Sequence, residues 1–230
     1  DAGRGLVYFG SGENYQTPAD NNSDAVFAVD AASGARRWQF QLTVGDAWNH
    51  GCMIRNRVGC PLEQGPDFDL SASPMLVPLA DGHDVVVVGQ KSGMVYAVDP
   101  QTGKPTWGRR VGRGSVMGGV HFGMAAEGST LFVGIYDHPL MGDGLMTTAP
   151  SLSGLYALDA GSGRALWQVH VDDRCHGRAG CSTGISSALT AMPGVVFASY
   201  LDGWVRAFDS SSGALLWETD TAQTFRTVNG

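Results

Sequence analysis

Four segments of this chain align without a gap: AVDAASGARRW (28–38), AVDPQTGKPTW (97–107), ALDAGSGRALW (157–167) and AFDSSSGALLW (207–217). The shared pattern is A-[apolar]-D-x-x-[ST]-G-x-x-x-W. No other feature restricts the fold as much, because a recurring supersecondary unit builds a propeller or a solenoid. The chemistry of the pattern is direct. The Asp side chain can accept from backbone N–H groups of a turn, and Gly supplies the left-handed residue. The Trp offers a large flat surface for packing on a neighbouring unit.

Strand signals surround each motif. Val85–Trp107 (VVVVGQKSGMVYAVDPQTGKPTW) holds a valine run, a turn at Lys91-Ser92-Gly93, an alternating apolar segment, a second turn and a closing Trp. It reads as three antiparallel strands. With a preceding strand the second unit becomes Ser71–Pro78, Asp84–Gln90, Met94–Asp99 and Pro105–Val111. The third is Gly123–Ala126, Thr130–Tyr136, Ser153–Asp159 and Ala165–Val171. The fourth is Gly184–Ala191, Gly194–Tyr200, Gly203–Asp209 and Leu215–Thr221. The first unit begins at its second strand, with Leu6–Gly10, Val26–Asp30 and Arg36–Leu42. The expected fold is all-β: a β-propeller of four-stranded antiparallel blades. The first blade lacks its first strand and Ala222–Gly230 is a polar tail. Residues 1–230 are therefore expected to be nearly four blades of a longer propeller, about half of an eight-bladed one.

Composition agrees and excludes some partners. Glycine is frequent (33 residues), 43% of residues are hydrophobic and 16% charged, as in a turn-rich globular core. A net charge of -7 argues against general binding to nucleic acid or to an anionic membrane surface. No run of apolar residues is long enough to span a bilayer, so membrane insertion is not expected.

The four cysteines form two local pairs, Cys52/Cys60 and Cys175/Cys181. Neither pair has the spacing of a zinc ribbon, a thioredoxin motif or a haem attachment site. Two short loops, each closed by a disulfide, is the plainest reading and implies an oxidising compartment. A zinc site shared with His176, and free thiols, are the alternatives. The other histidines, His50, His83, His138 and His170, show no metal spacing.

Antiparallel connectivity sorts the loops. The repetitive [ST]-G turns share one face. The long irregular connections, Ser11–Asp24, Thr43–Leu70, Gly112–Phe122, Asp137–Pro150 and Asp172–Thr183, share the other with the Lys91 turn. Function is expected on that face, because long loops depart from the economy of the repeat.

Several stretches on that face resemble the PQQ-dependent quinoprotein alcohol dehydrogenases, with the strongest likeness to the polyvinyl alcohol dehydrogenase-like branch. They are VYFGSGENY (7–15), DAWN (46–49), DFDLSASPMLV (67–77), Val86–Trp107 and GGVHFGMA (118–125). The resemblance implies an eight-bladed periplasmic or secreted propeller with PQQ and calcium on the axis at one face. It implies an alcohol substrate and a cytochrome c-type electron acceptor. Lys91 matches the basic residue that contacts the quinone oxygens, where an ammonium stabilises arriving negative charge. Glu13 and Asn14 fall at a calcium-ligand position, and the alignment does not choose between them. The family places a catalytic Asp in a D-x-W-D pattern. Here the last residue is Asn49, which cannot act as a base but can ligate calcium or orient substrate. Asp46 reads as a loop cap. His121 and Phe122 lie where relatives carry polar and aromatic residues near the cofactor, and His121 is a candidate for the missing base. Trp48 is a candidate for lining the cofactor face. The alternative to an enzyme is a non-enzymatic PQQ-like propeller serving as a binding or assembly scaffold.

Overall fold

A computed structural model describes residues 1–226 and Val228. Of the expected polar tail, Thr227, Asn229 and Gly230 lie outside the described residues. The first sheet contains β1 (Leu6–Gly10), β2 (Ala25–Asp30) and β3 (Arg36–Gln41). The second contains β4 (Met75–Pro78), β5 (Asp84–Gly89), β6 (Met94–Val98) and β7 (Pro105–Arg110). The third contains β8 (Ala125–Glu127), β9 (Thr130–Ile135), β10 (Gly154–Asp159) and β11 (Ala165–Val169). The fourth contains β12 (Thr190–Met192), β13 (Val195–Ser199), β14 (Trp204–Asp209) and β15 (Leu215–Asp220). Within each sheet the strands pair antiparallel in chain order, as propeller blades do.

The motif residues each have a place in this architecture. Oδ1 of Asp30, Asp99, Asp159 and Asp209 accepts from the backbone N–H three residues on, at 2.8–2.9 Å. It also accepts from the Ser or Thr hydroxyl at that position, which explains the [ST] of the pattern. The motif Ala stands directly across the strand pair from the motif Trp in all four blades, beside a register shift. Its single methyl leaves room for the indole.

The Trp then joins one blade to the next. Nε1 of Trp38, Trp107 and Trp167 donates to the carbonyl of Pro100, Ala160 and Ser210 in the following blade, at 2.9, 2.9 and 3.1 Å. The ring lies on the motif Gly of that blade. A Cβ on Gly103 would sit 2.5 Å from the Trp38 ring, and Gly163 and Gly213 are equally close to Trp107 and Trp167. Trp38 is 8% exposed, whereas Trp217 in the fourth blade is 51% exposed. Three apolar cores fill the inter-blade spaces: around Val26, Trp38 and Val86, around Val87, Val133 and Tyr156, and around Phe132, Leu155 and Phe208.

The first strands are shorter than expected. The segment 184–189 leaves its own sheet, because Ile185 N–H donates to Ile135 and Leu189 N–H to Gly123 of the preceding blade. Residues 71–74 likewise precede β4, just after Leu70 N–H bonds Ser11 and Asp69 C=O accepts from Lys91. A 3-10 turn at His50–Cys52 was not anticipated. Cys52–Cys60 and Cys175–Cys181 are disulfides, so the zinc and free-thiol alternatives fall away.

The docking contact yields a paired test. Gly34 and Gly103 occupy the same left-handed turn position (φ +72° and +68°), but a Cβ on Gly34 meets nothing within 4 Å. Gly34→Ala in this chain costs only the left-handed strain, about 1–2 kcal/mol. Gly103→Ala adds the collision with Trp38, about 1–3 kcal/mol more. Chemical denaturation of the two variants measures the difference, and equal losses would remove the docking explanation.

Candidate functional site

The irregular loops are tied together before any functional side chain is placed. Asn14 N–H donates to Asp46 C=O at 3.0 Å, and Trp48 N–H donates to Asn14 C=O at 2.8 Å. Leu70 N–H reaches Ser11 C=O, and Lys91 N–H reaches Asp69 C=O at 3.0 Å. The loops 11–24 and 43–70 and the Lys91 turn therefore form one layer. Gly12 is required here, because a Cβ on it would lie 2.1 Å from Oδ1 of Asp69.

Lys91 is 5% exposed, so it is not a solvated hairpin lysine. Its Nζ donates to Oδ1 of Asp67 and to Oδ2 of Asp69, both at 2.8 Å. Two of its three N–H donors are thus committed. Glu13 completes the group: Glu13, Asp67 and Asp69 each offer an oxygen within 4.8 Å of the others. Glu13 N–H also donates to Asp69 Oδ1 at 3.1 Å.

Three carboxyls around one ammonium in a poorly hydrated layer cannot all ionise freely. Burial, then the hydrogen bond to Asp69, pushes Glu13 up to about 8. Burial raises Asp67 to about 7, although the Lys91 ammonium pulls it down. Burial also acts to raise Asp69, but hydrogen bonding from Glu13 and the charge of Lys91 leave it below the usual carboxylate range. For Lys91, burial opposes the charge, and Asp69 and Asp67 together outweigh it and hold the ammonium more firmly protonated. Burial and the neighbouring carboxyls thus favour the protonated form of Glu13, and Lys91 the ionised form of Asp69. Asp67 is poised between its two states.

Asp46 supports this arrangement from below. It is fully buried, and its carboxylate accepts from the N–H of Asp67 at 3.1 Å and of Phe68 at 2.8 Å. The loop cap expected of Asp46 is thus a contact across the chain, onto the segment that carries Asp67.

The remaining expected residues divide. Asn49 bonds loop backbone. Its Oδ1 accepts from Gly51 N–H at 2.8 Å, and its Nδ2 donates to Tyr15 and Gly59 carbonyls at 3.0 and 2.8 Å. These bonds tie the start of the disulfide loop to the 11–24 loop. Trp48 is buried, and its Nε1 donates to Gly142 C=O at 2.8 Å, pinning the 137–150 loop instead of lining an open face. Asn14 Oδ1 accepts from Asp20 N–H at 3.3 Å, while Glu13 offers an oxygen to the carboxyl group. His121 Nδ1 lies 2.8 Å from Ser186 Oγ, and its ring stacks on Phe122 at 3.8 Å between centroids. Burial, then the nearby Lys91 charge, lowers the His121 pKa, so the ring is neutral at pH 7. Phe122 is 59% exposed and caps this edge.

Asp67 and Asp69 received no role in the sequence reading, although both lie in the DFDLSASPMLV stretch. The available signal was their alternation: in D-x-D before a strand both side chains leave the same side of the backbone. Asn49–Pro66, with the Cys52–Cys60 disulfide, separates Trp48 from Asp67. In the folded chain Asp46 bonds the N–H of Asp67, which is the residue that follows Trp48 once that excursion is set aside.

A family model described as outer membrane protein assembly factor BamB matches residues 22–230. A polyvinylalcohol dehydrogenase of Pseudomonas sp is 42% identical over 100% of this chain and 35% of its own length. A polyvinylalcohol dehydrogenase of Sphingopyxis sp. (strain 113P3) is 37% identical over 96% of this chain and 34% of its own. The chain therefore spans about a third of the length of these curated relatives. The solved quinohemoprotein alcohol dehydrogenase ADHIIG of Pseudomonas putida HK5 shares the fold, with a TM-score of 0.62 and 18% identity over 96% of this chain and 40% of that one. The chain belongs to the PQQ-type β-propeller family that this model describes, and it is similar over 96–100% of its length to the two polyvinylalcohol dehydrogenases.

Proposed function

We propose that this chain carries part of the active site of a PQQ- and calcium-dependent dehydrogenase. The enzyme oxidises secondary alcohol groups, including those of a polymer such as polyvinyl alcohol, in the periplasm or outside the cell, and passes electrons to a cytochrome c-type acceptor. The observation that carries this reading is the buried Lys91, 2.8 Å from both Asp67 and Asp69, with Glu13 beside them on the loop face.

The residues present suit both groups. Carboxylate oxygens are the ligands calcium takes, and Glu13 and Asp69 are the pair we assign to hold it. Like-charge crowding keeps Glu13 protonated up to about 8, and a divalent cation relieves that crowding. The remaining N–H of Lys91 is available to a quinone oxygen. When bound, PQQ supplies a two-electron acceptor and calcium a Lewis acid.

The chain's own residues would then act as follows. Asp67, raised to about 7, accepts the substrate hydroxyl proton at its carboxylate near the operating pH. Lys91 orients Asp67 and places fixed positive charge where negative charge develops on the acceptor. His121, neutral and held by Ser186, closes the site's edge with Phe122. Asp67 takes the role that the D-x-W-D alignment would give to Asn49. A scaffold without chemistry gives no reason to bury a lysine among three carboxyls.

Three outcomes follow for the full-length protein. Asp67→Asn lowers the rate of dye-linked alcohol oxidation by about 10²–10⁴-fold, while Asn49→Ala has a far smaller effect. The reverse ranking would return the base or its positioning to Asn49. PQQ and calcium bind on titration, and Lys91→Ala weakens PQQ binding; no binding, or an affinity indifferent to Lys91→Ala, would leave the scaffold reading standing. Calcium affinity depends on pH with a definite sign. Only deprotonated carboxylates ligate, so affinity rises through about 8 as Glu13 loses its proton, then levels off. Calorimetry at pH 7 in buffers of different ionisation enthalpy should detect roughly one proton released per ion.

A further inference from the structure

The residue just before the motif Ala is aromatic in the first three blades, as Phe27, Tyr96 and Tyr156, but it is Arg206 in the fourth. Between the first two blades Tyr96 packs edge-on against Phe40, with ring centroids 6.0 Å apart. Between the last two, Arg206 stands at the position of Tyr96, and Val169 stands at that of Phe40, two residues beyond the motif Trp. A short branched side chain thus replaces a ring, and a cavity of about 220 Å³ lies there. Its walls come from β11 and the residues after it, and from β14 and β15. It shares no residue with the Lys91 layer.

Arg206 is 1% exposed. Its Nη1 and Nη2 donate to Oδ1 and Oδ2 of Asp202 at 3.2 and 2.7 Å, and its Nε donates to Glu218 Oε2 at 3.2 Å. A guanidinium has five N–H donors, so two are left without a partner among the described residues. Burying this ion in place of an aromatic ring weakens the packing that the repeat otherwise uses. A local departure of that kind marks a functional position.

Charge and polarity define what the cavity takes. Two cations, Arg174 and Arg206, line it together with two acids, Asp172 and Glu218. Arg174 and Arg206 occupy the two oxygens of Glu218, at 2.8 and 3.2 Å. Both oxygens of Asp202 are also taken, by Arg206 and by Trp204 N–H. An entering anion would therefore face three carboxylates, and an entering cation would face two guanidiniums. The remaining wall is apolar, with Val169, Val171, Phe208 and Leu215. The complement of these surfaces is an uncharged aliphatic body bearing an oxygen that accepts from Arg206. The volume is below the roughly 300–1,000 Å³ of drug-sized sites, so the occupant is a small molecule or one segment of a chain.

We propose that this cavity is a second, non-catalytic binding site for the polymeric alcohol. It holds one short hydroxyl- or carbonyl-bearing segment while another segment is oxidised at the Lys91 site. The polymer as occupant rests on the proposed function; the uncharged, oxygen-bearing class of ligand rests on the cavity alone. Holding the chain at two points raises the effective concentration of its other hydroxyls at the catalytic site.

The test uses the full-length protein with its Val and Leu methyls labelled for NMR, and pentane-2,4-diol as the probe. The methyls of Val169, Val171 and Leu215 should shift along one saturable curve. Val169→Phe, which restores the residue type of the first blade, should fill the cavity and abolish the response of Val171 and Leu215. Leu215→Trp closes the rim, where Leu215 is 50% exposed, and serves if Val169→Phe does not fold. Each variant should raise the KM for polyvinyl alcohol relative to that for propan-2-ol, by roughly 3- to 10-fold. The proposal is overturned by an absent methyl response, by one that survives the filled cavity, or by sodium acetate binding there more tightly than the diol. An unchanged ratio of the two KM values removes the polymer as occupant. If the diol response behaves as expected but the protein oxidises no alcohol, the functional reading fails and the neutral-ligand site stands.

Discussion

The molecule depends on the contact between a tryptophan of one blade and the turn of the next. A blade alone leaves both faces of a thin antiparallel sheet uncovered. The indole covers part of that surface, and its N–H answers a carbonyl in the neighbour's turn, at 2.9–3.1 Å in three successive places. The glycine beneath each ring serves twice. It gives the turn its left-handed residue and brings the backbone close enough for the ring to lie on it. The Asp and the Ser or Thr hold that turn in shape. Four residue types, spread over eleven positions, therefore specify both a hairpin and the way hairpins stack.

Because this docking is confined to one face and to the body of the blades, the opposite loops are free to diverge. They converge by topology on a layer that departs from ordinary economy. Lys91 meets Asp67 and Asp69, and Glu13 lies beside them. Stability alone would favour apolar residues here, since desolvating an ion pair offsets most of its attraction. Raised carboxyls close to a pinned ammonium are the arrangement expected where charge must be held ready for a ligand or a proton. The disulfide at Cys52–Cys60 braces the excursion that rises from this layer.

The propeller repeat, the strand pairs and the face that carries the long loops were legible in the sequence, because each rests on local chemistry or on alternating direction. Lys91 and Glu13 were also legible as candidates. Asp67 was not. Reading D-x-W-N as a continuous motif put Asn49 in the position of the family's Asp, but Asn49 shapes the loop that separates Trp48 from Asp67. The contacts of Trp48 and Asn14 were hidden for a similar reason. Their polar atoms are spent holding loop to loop, and such partners lie far away in sequence.

The sequence by itself determined the blade: its strands, its turns, its docking residue and the sorting of its connections to two faces. These follow from periodicity and from the few residues that can occupy a tight turn. Only the tertiary structure decided which side chains share the site and in what protonation state. Asp67 and Asp69, on one loop, are each brought within 2.8 Å of Lys91, on another. Their charges are then set by burial and by one another, quantities that exist only once the loops have closed.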